Sequence, residues 1–351
     1  MRIYINARFL TQPISGVQRY GIECSRQIKK LAPHACFIAP PDILHQDIAA
    51  ELGVQIVGRR KGHRWEQIDL PLFIAKQKNA PLINLANTAP LFYHNNYVTI
   101  HDLAFYYHPE WNSRRFATWY NILIPRIAAK SKHVFTVSET IKAELMKAYH
   151  LPGRKITVTY NGISKAMLDQ GMGEVPKEKI ILSVGTFNKR KNHEQLVAGF
   201  IASGLGAQYR LVLVGDRNKA FSETKLNEQQ LKDNNIDIVE SPGEQELIAL
   251  YRKAEVEASL SLYEGFGIPL LEGIYNGCKL VCSDIPAYRE IYGGYAHFCP
   301  AADTGQIAAA LRAAVAGLAP GLEERETLAQ KYSYERSAEV ILSKVTAGIR
   351  K

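Results

Sequence analysis

The sequence predicts an α/β protein built from two doubly wound, parallel-sheet domains, and three observations carry that reading. At 351 residues the chain is longer than one hydrophobic core usually serves, which points to two domains of about 150 to 180 residues each. Short β-rich runs alternate with amphipathic helical stretches along the whole length, the signature of parallel strands joined by crossover helices. Hydrophobic residues make up 46% and charged residues 22%, an ordinary globular composition that can fill both cores.

Strands are expected at 3–6, 36–39, 54–57, 82–85, 98–100, 134–137 and 156–159, each a β-branched or aromatic run. A helix from about Gly16 to Leu31 follows the Pro13, Ser15, Gly16 turn. The stretch 160-YNGIS-164 is a turn signal, and the hinge is placed between Asn161 and Lys177. The second half repeats the scheme, with strands at 180–184, 210–214, 236–239, 256–260, 280–282 and 297–299 and helices from His193 and Glu244. From Tyr332 the chain turns helical after Ser333, the N-cap, with Glu335 close behind. The domains are therefore drawn as 1–165 and 166–331, with a terminal helix at 332–351.

The net charge of +9 is unevenly placed: residues 1–174 carry 22 Lys and Arg against 12 Asp and Glu, and residues 175–351 carry 21 against 22. Basic residues of the first half interleave with aromatics, first Arg59, Arg60, Lys61, His63, Arg64 and Trp65, then Arg114, Arg115, Phe116, Trp119, Tyr120 and Arg126. Phe116, Trp119, Tyr120 and Leu123 share one helical face, so part of that stripe is core. No helix-turn-helix, RNP or zinc-finger pattern accompanies the charge, and no nucleic-acid partner is expected. An anionic membrane surface explains the same face, at about 1 kcal/mol per basic residue. With no apolar run of spanning length and no leader-like start, the chain is expected in the cytosol.

Five scattered cysteines without C-x2-C spacing read as buried reduced thiols. Asp284 stands outside any Asp-x-Asp pair and the histidines do not cluster, so neither a metal nor another cofactor is expected.

The densest chemistry lies in 264-EGFGIPLLE-272. Gly265 and Gly267 flank Phe266 and permit close backbone approach, Pro269 suits a first helical turn, and Leu270, Leu271 and Ile274 bury the helix that follows. A helix N-terminus offers unpaired N–H groups and partial positive charge, a seat for phosphate. The segment reads as a loop entering a helix N-terminus, and eight positions along a helix, a little over two turns, return Glu272 to about the face of the helix entry. One carboxylate then meets a sugar and the deeper one a ribose diol; two solvated glutamates on a capped helix are the plain alternative.

Three further loops follow strands. In 185-GTFNKRKNHE-194, Arg190 and Lys191 are placed to neutralise a diphosphate, with Asn192 as a helix cap. In 98-VTIHDLAFYYHPEW-111, His101 follows a buried strand and Asp102 fixes either its tautomer or its loop. In 11-TQPISGVQRYG-21, Gly16 opens a helix beside a phosphate or acceptor. The loops 213-LVGDRN-218 and 240-ESPGEQEL-247 are base-side candidates that assign no base.

The segment from Glu264 to Glu272 resembles the E-x7-E motif of retaining glycosyltransferases of family 4, and the similarity runs along most of the chain. The resemblance implies the GT-B fold, two Rossmann-like doubly wound domains facing each other across a cleft, with the last helix crossing back onto the first domain. It implies that Arg190 and Lys191 hold the donor pyrophosphate and that Gly265, Phe266, Gly267 and Glu272 complete the donor site. Glu264 and His101 then lie at the reacting sugar, with Asp102 and Gly16 on the phosphate and acceptor side. Thr186 stands where some members carry a further arginine, and Ser15-Gly16 where the family usually shows a Gly-Gly pair. Family members need no divalent ion, because basic residues and helix dipoles stabilise the departing diphosphate. Retention implies front-face attack assisted by that phosphate, with a carboxylate nucleophile left open.

The expected function is therefore a retaining, metal-independent hexosyltransferase, peripheral on the inner face of the cytoplasmic membrane. It would move a hexose, mannose among the candidates, from a GDP- or UDP-sugar to a lipid-linked or oligosaccharide acceptor in O-antigen, capsule or exopolysaccharide synthesis. A nucleotide-sugar epimerase or hydrolase on the same fold is one alternative, and a non-catalytic nucleotide-sugar-binding scaffold is another. A nicotinamide dehydrogenase would need a G-x-G-x-x-G after a first strand, and neither half has one.

Overall fold

A computed structural model describes residues 2–173, 175–215 and 228–349. Two compact units emerge, one of residues 1–162 with 332–351 and the other of residues 163–331.

The first unit holds β1 (Tyr4–Asn6), β2 (Cys36–Ala39), β3 (Gln55–Ile56), β4 (Leu82–Asn84), β5 (Asn96–Thr99), β6 (His133–Thr136) and β7 (Ile156–Val158). They form one sheet in the order β3-β2-β1-β4-β5-β6-β7, with every neighbouring pair parallel. Ile5 lies level with Phe37 and Ile83. A parallel sheet is covered on both faces, so its strands are buried continuously rather than alternately, as β1, β4, β5 and β6 are, with polar residues such as Asn6, Asn84, Asn96 and Thr136 only at strand ends. The Gly16–Leu31 helix makes the crossover from β1 to β2 and buries Tyr20, Cys24 and Ile28 at helical spacing. Against it lies the terminal Tyr334–Ile349 helix, with Tyr334 edge-on to Tyr20 at 6.0 Å and Ser337 Oγ donating to the Tyr160 carbonyl at 2.7 Å. Ser333 Oγ accepts the Arg336 amide at 3.2 Å and caps that helix.

In the second unit β8 (Glu178–Val184), β9 (Arg210–Gly215), β10 (Ile236–Glu240), β11 (Ala254–Ser259), β12 (Lys279–Ser283) and β13 (Ala296–Cys299) pair in parallel, in the order β10-β9-β8-β11-β12-β13. Ile181, Leu213, Val256 and Val281 pack with Phe200 from the His193–Ser203 helix and Leu311 from the Thr304–Ala316 helix. Each such side chain contributes about 1.5–3 kcal/mol on leaving water.

Both sheets reverse their strand order, between β1 and β4 in the first unit and between β8 and β11 in the second. At such a reversal, loops leave in opposite directions at the carboxyl ends of the strands and open a crevice for ligands.

Some expectations shift. Strand β8 starts at Glu178, two residues before Ile180, because the exposed Glu178 still pairs with Ala254 of β11. Four cysteines are buried and all five are free, but Cys36, at the rim of β2, is only half-buried. On the Arg114–Lys130 helix Leu123 is core, whereas Phe116 and Trp119 are exposed. No helix among the described residues is long and apolar enough to cross a membrane.

Candidate functional site

The reversal in the second unit brings two loops together. After β8 the chain passes through Gly185 into a short 3-10 turn, Lys189–Lys191, whose last amide is accepted by Asn188 Oδ1 at 3.1 Å. After β11 it runs irregularly from Leu260 to Gly267 and then enters the Ile268–Tyr275 helix. The Leu262 amide donates to the Arg190 carbonyl at 2.8 Å and ties the loops to each other. Asn192 does not act through its side chain as the cap expected of it. It takes a left-handed backbone (φ 57°), and its Nδ2 donates to the Ala301 carbonyl at 2.8 Å.

This arrangement puts Lys191 Nζ 2.7 Å from Glu264 Oε1 and Arg190 Nη1 3.9 Å from Glu264 Oε2. The Glu264 side chain is 10% exposed. Burial alone would raise its pKa, but Arg190, Lys191 and a bond from Ser261 outweigh it and hold the carboxyl at about 2. The pair is therefore a salt bridge at neutral pH, held between the two loops at the strand-order reversal.

Glu264 does not lie on the helix. The helical path starts at Ile268, and Gly267 ahead of it has φ +91°, a left-handed conformation that interrupts any helical count from Glu264. A Cβ at Gly267 would also collide with the Tyr288 ring, and Tyr292 Oη donates to the Gly267 carbonyl at 2.7 Å. Phe266 is buried edge-on to Tyr292 at 6.4 Å, so the Gly265-Phe266-Gly267 turn is anchored against Tyr288 and Tyr292. Pro269 occupies the first helical turn. The E-x7-E spacing thus joins a loop carboxylate to a helical one.

Glu272 sits inside that helix, nearly all of which is buried, and is itself 3% exposed. Beside it lies Glu257, a residue the sequence reading passed over. Glu257 faces out of β11, level with Leu182 and Leu280, and is fully buried with no hydrogen bond of good geometry to either carboxyl oxygen. Burial first, and the charge of Glu272 second, push its pKa well up, while the Val184 backbone and Lys191 oppose this only in part. Glu272 accordingly neighbours a neutral acid. A Cβ at Gly273 would come within 2.6 Å of Glu257 Cβ, so glycine lets the helix lie against the strand here. The available signal was a charged residue in the middle of a central parallel strand.

In the first unit His101 follows β5, 6% exposed, with Nε2 2.8 Å from the Leu85 carbonyl and its amide donating to Asn87 Oδ1 at 2.8 Å. Its ring meets Tyr20 edge-on at 4.8 Å. Burial lowers its pKa, against the pull of Leu85 and Asp102, and favours neutral imidazole. The Leu85 carbonyl fixes the tautomer, and Asp102 Oδ1 accepts the Ala104 amide at 3.1 Å, which fixes the loop. Gly16 is the exposed first residue of its helix, behind Ser15, whose amide donates to Gln18 Oε1 at 3.2 Å. Asp284 is engaged by Arg289 at 2.6 and 2.8 Å. Of the base-side loops, 216–218 lie outside the described residues, and 240–247 runs from the end of β10 into the Glu244–Lys253 helix.

Two doubly wound sheets, one with a cationic turn and a glutamate at its reversal, form the architecture of GT-B glycosyltransferases. A family model described as Glycosyltransferase Family 4 matches residues 14–166, and one described as Glycosyl transferases group 1 matches residues 165–331. The chain belongs to this glycosyltransferase family. The O-antigen chain mannosyltransferase RfbU of Salmonella typhimurium is 30% identical over 207 residues, 58% of this chain and 56% of the relative. The GDP-mannose:cellobiosyl-diphosphopolyprenol alpha-mannosyltransferase of Xanthomonas campestris is 28% identical over 211 residues, 59% and 54% of the two chains. The match spans little more than half the length of these relatives. Among solved structures, Anabaena Alr3699/HepE in complex with UDP shares the fold, with a TM-score of 0.71 at 13% identity over 99% of both chains.

Proposed function

We propose that the chain is a retaining, metal-independent glycosyltransferase that moves a hexose from a nucleotide diphosphate sugar to a lipid-linked glycan in cell-surface polysaccharide synthesis. The observation that carries this reading is the Lys191–Glu264 pair with Arg190 beside it, at the strand-order reversal. A diphosphate entering there competes with Glu264 for Lys191, taking the cation and releasing the carboxylate toward the hydroxyls of the attached sugar. Arg190 and Lys191 then stabilise the charge that grows on the departing phosphate, the role a divalent ion would otherwise fill. Both named relatives are mannosyltransferases, which makes GDP-mannose the first donor to try.

Thermal unfolding in EDTA with GDP-mannose, UDP-glucose and ADP-glucose tests this reading. A ligand at about 100 times its Kd stabilises by about 2.7 kcal/mol, so one donor should raise the melting temperature clearly. Turnover of that donor should be the same in EDTA as in magnesium. Silence from every nucleotide sugar would remove the donor site, and a strict need for magnesium would remove metal independence.

The acceptor side is read as a membrane-facing surface. Arg114, Arg115, Phe116, Trp119, Ile122 and Arg126 are all exposed along the Arg114–Lys130 helix, a basic and aromatic face of the kind that settles at lipid headgroups. It would dock on the anionic inner leaflet of the cytoplasmic membrane, where lipid-linked acceptors are presented. Exposed charges are screened over about 8 Å at physiological salt, so binding to anionic vesicles should fall steeply as salt rises and weaken when Arg114 and Arg115 are neutralised. Equal binding to neutral and anionic vesicles would rule out the electrostatic account.

A further inference from the structure

The reversal between β1 and β4 carries a charged cluster that the donor chemistry does not use. Asn6 ends β1, Arg8 follows two residues later, Asn84 ends β4 and Thr88 lies in the loop beyond it. Glu66 reaches them from a π-helical turn, Trp65–Asp69, anchored by the buried Trp65 whose Nε1 donates to the Val57 carbonyl at 2.6 Å. Such turns are rare and concentrate at functional sites.

Glu66 is 1% exposed, and its Oε1 does all the bonding: Arg8 Nε at 3.1 Å, Asn6 Nδ2 at 3.0 Å and Thr88 Oγ1 at 2.9 Å. Arg8 Nη2 also donates to Thr88 Oγ1 at 2.7 Å, and Asn6 Nδ2 to Asn84 Oδ1 at 3.0 Å. Although burial would raise its pKa, Arg8, His63 and Thr88 hold the carboxyl at about 2, so a full negative charge is kept inside the unit. Burying an ion pair in this way rarely adds stability over an apolar core of the same shape, which argues for a task beyond folding.

The second oxygen makes none of these bonds. Glu66 Oε2 is buried without a good hydrogen bond and faces His63 Nδ1, itself buried, at 3.4 Å. The His63 side chain is still 37% exposed, so the ring turns one nitrogen to the carboxylate and an edge to solvent. Edge-on to it at 6.0 Å is Tyr120, braced by Phe116 stacked at 4.0 Å and by Phe105 at 5.5 Å. A polar ring edge beside a fixed aromatic face matches a pyranose, which has hydroxyls on its rim and C–H groups on its faces.

We propose that His63, oriented by Glu66 at the β1/β4 reversal, binds a hydroxyl of the acceptor sugar, with Tyr120 as the wall against the sugar's apolar face. This rests on the glycosyltransferase reading above. With Nδ1–H turned to Glu66, the outer nitrogen accepts the hydroxyl's hydrogen bond. The site lies on the same unit as the membrane-facing helix, where a lipid-linked sugar would be presented.

The test is saturation-transfer NMR on the full chain with the methyl α-glycosides of mannose, glucose and galactose, alongside titration with GDP and UDP. Wild type should bind at least one glycoside, and His63→Ala should bind it roughly five- to tenfold more weakly, the loss of one hydrogen bond. His63→Gln should recover part of the signal, and nucleotide affinity should be unchanged in both variants. Because His63 is partly exposed, these variants should fold normally. Glu66→Gln is a secondary probe, interpreted after its melting temperature is measured. Glycoside binding that is absent from wild type, or equal in His63→Ala, overturns the proposal. Binding that depends on His63 in a chain that takes no nucleotide would instead sink the donor reading and leave this site standing.

Discussion

Lys191→Ala is expected to weaken nucleoside diphosphate binding by roughly ten- to a hundredfold and to depress turnover at least as much. A charge-assisted contact is worth about 1.5–3 kcal/mol, and each 1.4 kcal/mol is a factor of ten. The variant also strands Glu264, whose nearest remaining cation is then Arg190 at 3.9 Å, so a carboxylate faces the incoming phosphates. The same pair links stability to pH. Glu264 is depressed from 4.5 to about 2, so it stabilises the fold fully above about pH 4.5 and loses that contribution as pH falls through about 2. Lys191→Ala should shrink this acid-side dependence, measured as melting temperature against pH. Unchanged affinity by calorimetry, together with an unchanged rate, would refute Lys191 as the phosphate-binding lysine.

Strands and their crossover helices were legible because the signal is local: a buried parallel strand is a short, mostly apolar run, and a helix start needs only a turn and a cap. The Gly16–Leu31 helix matches its expected range, and Ser333 caps the terminal helix. What stayed hidden depends on distant partners. Glu66 and Arg8 are 58 residues apart, and only the sheet order brings them together. Leu85 sets the His101 tautomer from 16 residues away. Glu257 reads as an ordinary surface charge until β11 is seen to be central. For Glu264 and Glu272 the spacing suggested a shared face at the helix entry, and the left-handed Gly267 shows why the count failed: the regular path begins only after it.

The two glutamates should accordingly separate by function. In Glu264→Gln the partner of Lys191 loses its charge while its shape is kept, so free GDP or UDP should bind as well as to wild type or better, since the phosphate no longer competes with a carboxylate. Transfer should nevertheless fall by about ten- to a hundredfold, because a charged hydrogen-bond acceptor to the sugar is lost. Glu272→Gln should do the opposite: nucleotide binding should weaken by up to about tenfold through the ribose, and the rate at saturating donor should change less. Glu257 sharpens the contrast. Removing the neighbouring negative charge lets its raised pKa relax downward, so Glu272→Gln should gain stability over wild type at alkaline pH, where Glu257 is forced to ionise, and not at neutral pH, where it is already neutral. The sign follows from linkage: a carboxyl with a raised folded-state pKa loses stability as pH climbs past its unfolded value. Titration calorimetry with the diphosphate and initial rates with the full donor distinguish the cases, and equal loss of diphosphate affinity in both variants would show that the carboxylates share one task.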